Sequence, residues 1–163
     1  MFARPALPAD CGAISEIYSQ GIEEGYATFE TRPRTAADIE QWLRGSHPVQ
    51  VVEHDGEVVA FANAGAYSSR ECYRGILEFS VYVRRDQRGR GAGKLATQAL
   101  LDAAAQAGYW KLIAKVFPCN QASLSLLQSL GFREVGRHLQ HSRYRGEWWD
   151  IILLERLIPV NIS

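Results

Sequence analysis

The sequence predicts a mixed α/β fold in a single domain spanning residues 1–163. Three observations carry that expectation. A length of 163 residues suits one domain with a real core. The element order reads strand, two helices, several antiparallel strands, then helix, strand, helix and two strands, the pattern of a mixed sheet with helices against it. No internal repeat, low-complexity tract or linker divides the chain.

Each element has a local reason. Phe2 to Arg4 is a short strand stopped by Pro5. Asp10 is placed to cap a helix whose apolar positions Ile14, Ile17, Tyr18 and Ile22 recur at helical spacing, and Gly25 ends it. An irregular segment with Thr28 and Phe29 follows. Thr35 with Asp38 three residues on resembles a capping box, opening a helix that carries Ile39, Trp42 and Leu43 on one face. Val49 to His54 and Val58 to Ala66 flank Asp55-Gly56, a strong hairpin signal. Tyr67 to Gly75 is a polar loop. Ile76 to Val83 is the next strand. A helix runs from about Lys94 to Ala107, with Leu95, Ala99, Leu100 and Ala103 on one face. Lys111 to Val116 is a strand. Asn120 caps a helix through Leu130, which Gly131 terminates. Phe132 to Gly136 and Trp148 to Leu157 read as the last strands.

Composition excludes several classes. Hydrophobic residues make up 47% and charged residues 22%, ordinary for a soluble globular chain. The formal net charge is zero, so bulk electrostatics favour neither nucleic acid nor an anionic membrane as partner. No apolar run approaches the roughly 20 residues of a membrane helix, and the start, MFARPALPAD, has no signal-like apolar region. Cys11, Cys72 and Cys119 form no metal-binding spacing, so each is expected as a small buried thiol in a reducing cytoplasm.

The stretch ILEFSVYVRRDQRGRGAG, residues 76–93, carries the chemistry. A strand feeding a glycine-rich loop into a helix N-terminus suits a pyrophosphate, because close-approaching backbone N–H groups and the helix dipole both favour an anion. Position 88 is arginine where a Walker loop needs glycine, and position 94 is lysine where a dinucleotide fingerprint needs glycine. A plain helix-start turn with solvated charges is the other reading of these residues. On the strand, Glu78, Ser80 and Tyr82 share one face, and Leu77, Phe79, Val81 and Val83 share the other. A carboxylate in so apolar a run is expected to have a raised pKa. A salt-bridge partner facing an edge is the alternative. Arg70 and Arg74, just before the strand, offer forks for an acidic head group at the mouth of a site, or are solvated loop charges. Thr28 and Phe29 form a further wall, or Phe29 merely packs under its loop. His138 and His141 read as structural or exposed.

Gln87-Arg88-Gly89-Arg90-Gly91-Ala92-Gly93 resembles the Arg/Gln-x-x-Gly-x-Gly/Ala signature of the Gcn5-related N-acetyltransferase superfamily, and SVYV before it and Asn120 with ASLSLLQSLGF after it are similar to that superfamily's segments. ATFETRPRTAADIEQWL, Tyr73-Arg74, EFSVYV and Trp148-Trp149-Asp150 further resemble its phosphinothricin-type branch. Phe79, where the branch commonly has a polar residue, and Leu77, where valine is more usual, depart from it. The resemblance implies a central mixed, largely antiparallel twisted sheet flanked by helices. It implies acetyl-CoA as cosubstrate, held by Val81, Tyr82, Val83, Arg88, Gly89, Arg90, Gly91, Ala92, Gly93, Lys94, Asn120 and Ser125. It implies Glu78 as the base that takes a proton from the acceptor amine. Tyr144, near the final hairpin, is a candidate donor to the departing thiolate. Phe29, Arg70 and Arg74 join Glu78 as the implied substrate contacts.

The expected function is N-acetylation of the α-amine of a small acidic amino-acid analogue of the phosphinothricin, arsinothricin or methionine sulfoximine type, conferring resistance. No metal is implied; a homodimer is. Acetylation of a protein N-terminus or a polyamine is one alternative, although Arg70 and Arg74 would repel a polycation. A non-catalytic acetyl-CoA sensor is another.

Overall fold

The computed structural model describes residues 1–28 and 30–163. The strands β1 (Phe2–Pro5), β2 (Val49–His54), β3 (Glu57–Ala66), β4 (Ile76–Val83), β5 (Lys111–Val116), β6 (Arg133–Tyr144) and β7 (Glu147–Leu157) form one sheet in the order β1-β2-β3-β4-β5-β7-β6. Only β4 and β5 pair in parallel; the other neighbours are antiparallel. The mixed, largely antiparallel sheet expected from the sequence is therefore present.

Each face carries its own core. Helices α1 (Cys11–Glu24) and α2 (Ala36–Arg44) cover one face, where Ile14, Ile17, Tyr18 and Ile39 pack with Val51, Phe61 and Tyr82. Helices α3 (Ala92–Gln106) and α4 (Gln121–Ser129) cover the other, where Ala96, Leu100, Leu124 and Leu127 meet Leu77, Phe79, Leu112 and Leu154. β4 thus divides as its alternation predicts, with Tyr82 toward α1 and α2, and Leu77 and Phe79 toward α3 and α4.

Local signals explain most boundaries. The α2 capping box is made: the Thr35 hydroxyl accepts from Asp38 N at 3.2 Å, and Thr35 N donates to the Asp38 carboxylate at 2.8 Å. Asn120 Oδ1 accepts from Ser123 N at 3.2 Å and starts α4. Asp55 and Gly56 both take positive φ, as a two-residue hairpin turn requires.

Four expectations need correction. Asp10 precedes α1 but makes no side-chain cap; Arg4 holds its carboxylate at 2.7 Å, which keeps its pKa below the usual range. The buried stripe of α3 runs through Ala96, Thr97, Leu100, Leu101 and Ala104, because alanines on every side blur the period and Thr97 hides its hydroxyl on Gly93 O at 2.8 Å. β6 extends to Tyr144, well past Gly136, because an edge strand exposed on both faces shows no apolar alternation. Cys11 is buried, whereas Cys72 and Cys119 are exposed. No helix among the described residues is long and apolar enough to cross a membrane.

Candidate active site

The parallel pairing of β4 and β5 is short. Ile76 faces Lys111, Leu77 faces Leu112 and Glu78 faces Ile113; beyond Glu78 the ladder stops. Farther along, β4 continues to pair with β3 and β5 with β7, so the two strands diverge. Backbone groups on their facing edges past that point have no partner strand among the described residues, and they open onto a cleft of about 460 Å³. Phe79 to Val83 line one side, Ala114 to Phe117 the other, and the loop before α3 closes the top. Glu78 stands at the vertex as the last pair of the ladder; it does not itself line the cleft, whereas the adjoining Phe79 and Lys115 do.

The loop is built for close approach. Gly89 and Gly91 adopt left-handed φ of 76° and 87°, and a Cβ at either would meet nothing within 4 Å. The first α3 hydrogen bond runs from Leu95 N to Gly91 O at 3.1 Å, so the amides of Ala92, Gly93 and Lys94 precede the intrahelical ladder and border the cleft. At Gly93 a Cβ would lie 2.7 Å from Leu126 Cδ1 and 3.2 Å from Val83 Cγ2, so glycine lets the α3 N-terminus sit against β4 and α4.

Arg88 is held across the cleft rim. Its guanidinium donates to the Glu24 carboxylate at 2.8 Å, to the Tyr26 hydroxyl at 3.2 Å and to Val83 O at 3.3 Å. Arg85 donates to the other Glu24 oxygen at 2.8 Å. Burial works to raise the Glu24 pKa, but the hydrogen bonds from Arg88 and Arg85 outweigh it and bring it down to about 2. The end of α1 is thereby tied to the glycine loop.

Around the vertex the α1–α2 face is polar. Register puts Gly65, Glu78 and Ile113 on that face, with Asn63 opposite Ser80 one step along and Lys115 one step beyond Ile113. Glu78 is 37% exposed, and Lys115 Nζ lies 3.4 Å from its Oε1. The desolvated setting expected for Glu78 is therefore only half met: its neighbours Leu77 and Phe79 are buried, but they point to the other face. Burial pushes the Tyr82 hydroxyl pKa up, with the hydroxyls of Tyr18, Thr28 and Ser80 around it.

The cleft gathers most of the expected residues. Val81, Tyr82, Val83, Arg88, Gly89, Gly91, Ala92, Gly93, Lys94 and Asn120 line it. Arg90 does not; it is exposed and leans on Gln87 at 3.4 Å. Ser125 also lies outside, exposed on α4, whereas Ser123 lines the cleft, because helical periodicity turns position 125 outward. Arg70 and Arg74 do not line the cleft; they lie in the segment before β4, where the Arg74 guanidinium stacks 5.5 Å from the Trp110 ring and pairs with Glu71 at 3.5 Å. Tyr144 is buried beside Phe117 and Trp149 and does not line the cleft; Phe117 does. His138 and His141 stack at 4.3 Å on the exposed β6. Phe29 lies outside the described residues. Lys115 was missed, since only the parallel β4–β5 register brings it to Glu78.

The Acetyltransferase (GNAT) family matches residues 14–132. The L-amino acid N-acyltransferase MnaT of Escherichia coli (strain K12) is 33% identical over 95% of this chain and 92% of its own. The L-methionine sulfoximine/L-methionine sulfone acetyltransferase of Pseudomonas paraeruginosa is 33% identical over 93% of this chain and 91% of its own. The solved phosphinothricin acetyltransferase of Sinorhizobium meliloti, in complex with AcCoA, superposes with a TM-score of 0.87 at 29% identity, covering 95% of this chain and 86% of that one.

Proposed function

This chain belongs to the GNAT acetyltransferase family and is an acyltransferase, and we propose that it transfers the acetyl group of acetyl-CoA to the α-amine of a small amino acid or amino-acid analogue. The single observation that carries the reading is the divergence of β4 and β5 beyond Glu78, which opens a cleft from the anion-ready loop to Phe79 and Lys115, the residues that adjoin the Glu78 carboxylate.

The residues present fit the cosubstrate. The amides of Ala92, Gly93 and Lys94, the α3 dipole and the Arg88 guanidinium suit a pyrophosphate. From Val83 to Glu78 is roughly 16 Å along an extended strand, a span suited to a pantetheine arm whose two amides can pair with the free strand edges. Acetyl-CoA, when bound, supplies an acetyl group activated as a thioester. Asn120, Ser123, Val81 and Val83 shape the walls along that path.

The acceptor arrives as an ammonium, which has no lone pair. Glu78 takes a proton from that nitrogen, directly or through one water, and leaves a neutral amine facing the cleft. Strand-edge N–H groups near the vertex polarise the acyl carbonyl, and the walls hold the reacting atoms together. Analogues of the phosphinothricin and methionine sulfoximine kind are the favoured acceptors, in keeping with the relatives' names; arsinothricin belongs to the same class, and resistance by detoxification would follow. A homodimer fits the exposed β6 and the exposed Val135, Leu139 and Trp148 on the last hairpin.

Glu78→Gln keeps the shape and removes the base. Turnover near neutral pH should fall by about 10²-fold or more, while acetyl-CoA binding measured by calorimetry is retained. Unchanged turnover would remove Glu78 from the mechanism.

A further inference from the structure

We propose that Lys115 binds the α-carboxylate of the acceptor, so that Glu78 and Lys115 together receive the zwitterion of an α-amino acid. The inference rests on the acetyl-transfer reading and names the substrate chemistry of that site.

The pair is placed for it. Lys115 lines the cleft, is 44% exposed, and projects from β5 to the same sheet face as Glu78. Its Nζ stands 3.4 Å from Glu78 Oε1, beyond the roughly 2.7–2.9 Å of a tight charge-assisted hydrogen bond. So loose and solvated a pair contributes at most about 1 kcal/mol, and a ligand can open it. In an α-amino acid the ammonium and the carboxylate are separated by a single carbon. An acceptor whose nitrogen meets Glu78 therefore brings its carboxylate within reach of Lys115.

The surroundings leave room for such a ligand. Gly65 faces Glu78 from β3, and a Cβ there would meet nothing within 4 Å.

The arrangement also orders events. Before the acceptor binds, Lys115 leans on the carboxylate that must act as base. The acceptor's own carboxylate draws Lys115 away and frees Glu78 to take the ammonium proton. A polycation meets a fixed positive charge beside the base and is disfavoured.

The test compares L-methionine sulfone with its α-carboxamide, which keeps the amine and side chain and loses the negative charge. The unaltered enzyme should favour the acid by about 10-fold or more in kcat/KM, the worth of one charge-assisted contact. Lys115→Met should abolish that preference, raising KM of the acid and leaving the amide no poorer or improved, since no lysine then leans on Glu78. Lys115→Arg should restore most of it. Equal losses on acid and amide, a preference that survives Lys115→Met, or an unaltered enzyme indifferent to the carboxylate would each overturn the role of Lys115. No transfer to either compound by the unaltered enzyme would overturn the acetyl-transfer reading, and this inference with it.

Discussion

Glu24→Gln tests the tie between α1 and the glycine loop. The Glu24 side chain is 15% exposed and accepts from Arg88 and Arg85, both at 2.8 Å. Its pKa falls from 4.5 to about 2 on folding. A depressed carboxylate pKa stabilises the fold above the unfolded value and loses that contribution as pH drops through the folded one. The shift of about 2.5 units corresponds to a ceiling of about 3 kcal/mol. The guanidiniums are 38% and 54% exposed, so solvent screening lowers this to about 1–2 kcal/mol. By linkage roughly 60% of the effect persists at pH 3.5 and about a tenth at pH 2. Urea denaturation of both proteins at pH 7, 5 and 3.5 should show the deficit of Glu24→Gln constant between pH 7 and 5 and shrinking at 3.5. A deficit independent of pH, or none at pH 7, would refute the reasoning.

Two further outcomes follow from close contacts on the rim and behind the vertex. Arg88→Ala should raise KM for acetyl-CoA by about 10-fold or more with kcat little changed, as expected for losing one charge-assisted phosphate contact; steady-state kinetics at two ionic strengths would read it, with a weaker salt dependence in the variant. Gly75→Ala should destabilise by about 1–3 kcal/mol, because a Cβ there collides with the Trp110 ring; an unchanged melting temperature would show that the ring moves freely.

Much of this site is legible in the chain itself. The β4 and β5 boundaries follow from short apolar runs between polar turns, and the glycine loop from its residue types. What stays hidden depends on topology. Nothing local says that β5 pairs beside β4 in parallel, or that the ladder ends at Glu78, and those two facts make the cleft and bring Lys115 to the carboxylate. For the same reason nothing local says that Arg70 and Arg74, close to Glu78 in sequence, stay off the cleft lining. Ser125 and Ser123 differ only by helical phase, which is hard to fix in a nine-residue helix rich in small side chains. β6 hides because its faces are exposed and carry no alternation.

The most direct measurement is thiol release from acetyl-CoA over a panel of acceptors: L-phosphinothricin, L-methionine sulfoximine, L-methionine sulfone, a short peptide with a free N-terminus, and spermidine. The account predicts turnover on the free amino acids, with kcat/KM about 10-fold or more above the peptide and the polyamine. Tight acetyl-CoA binding without transfer to any of them, or a preference for spermidine, would contradict it.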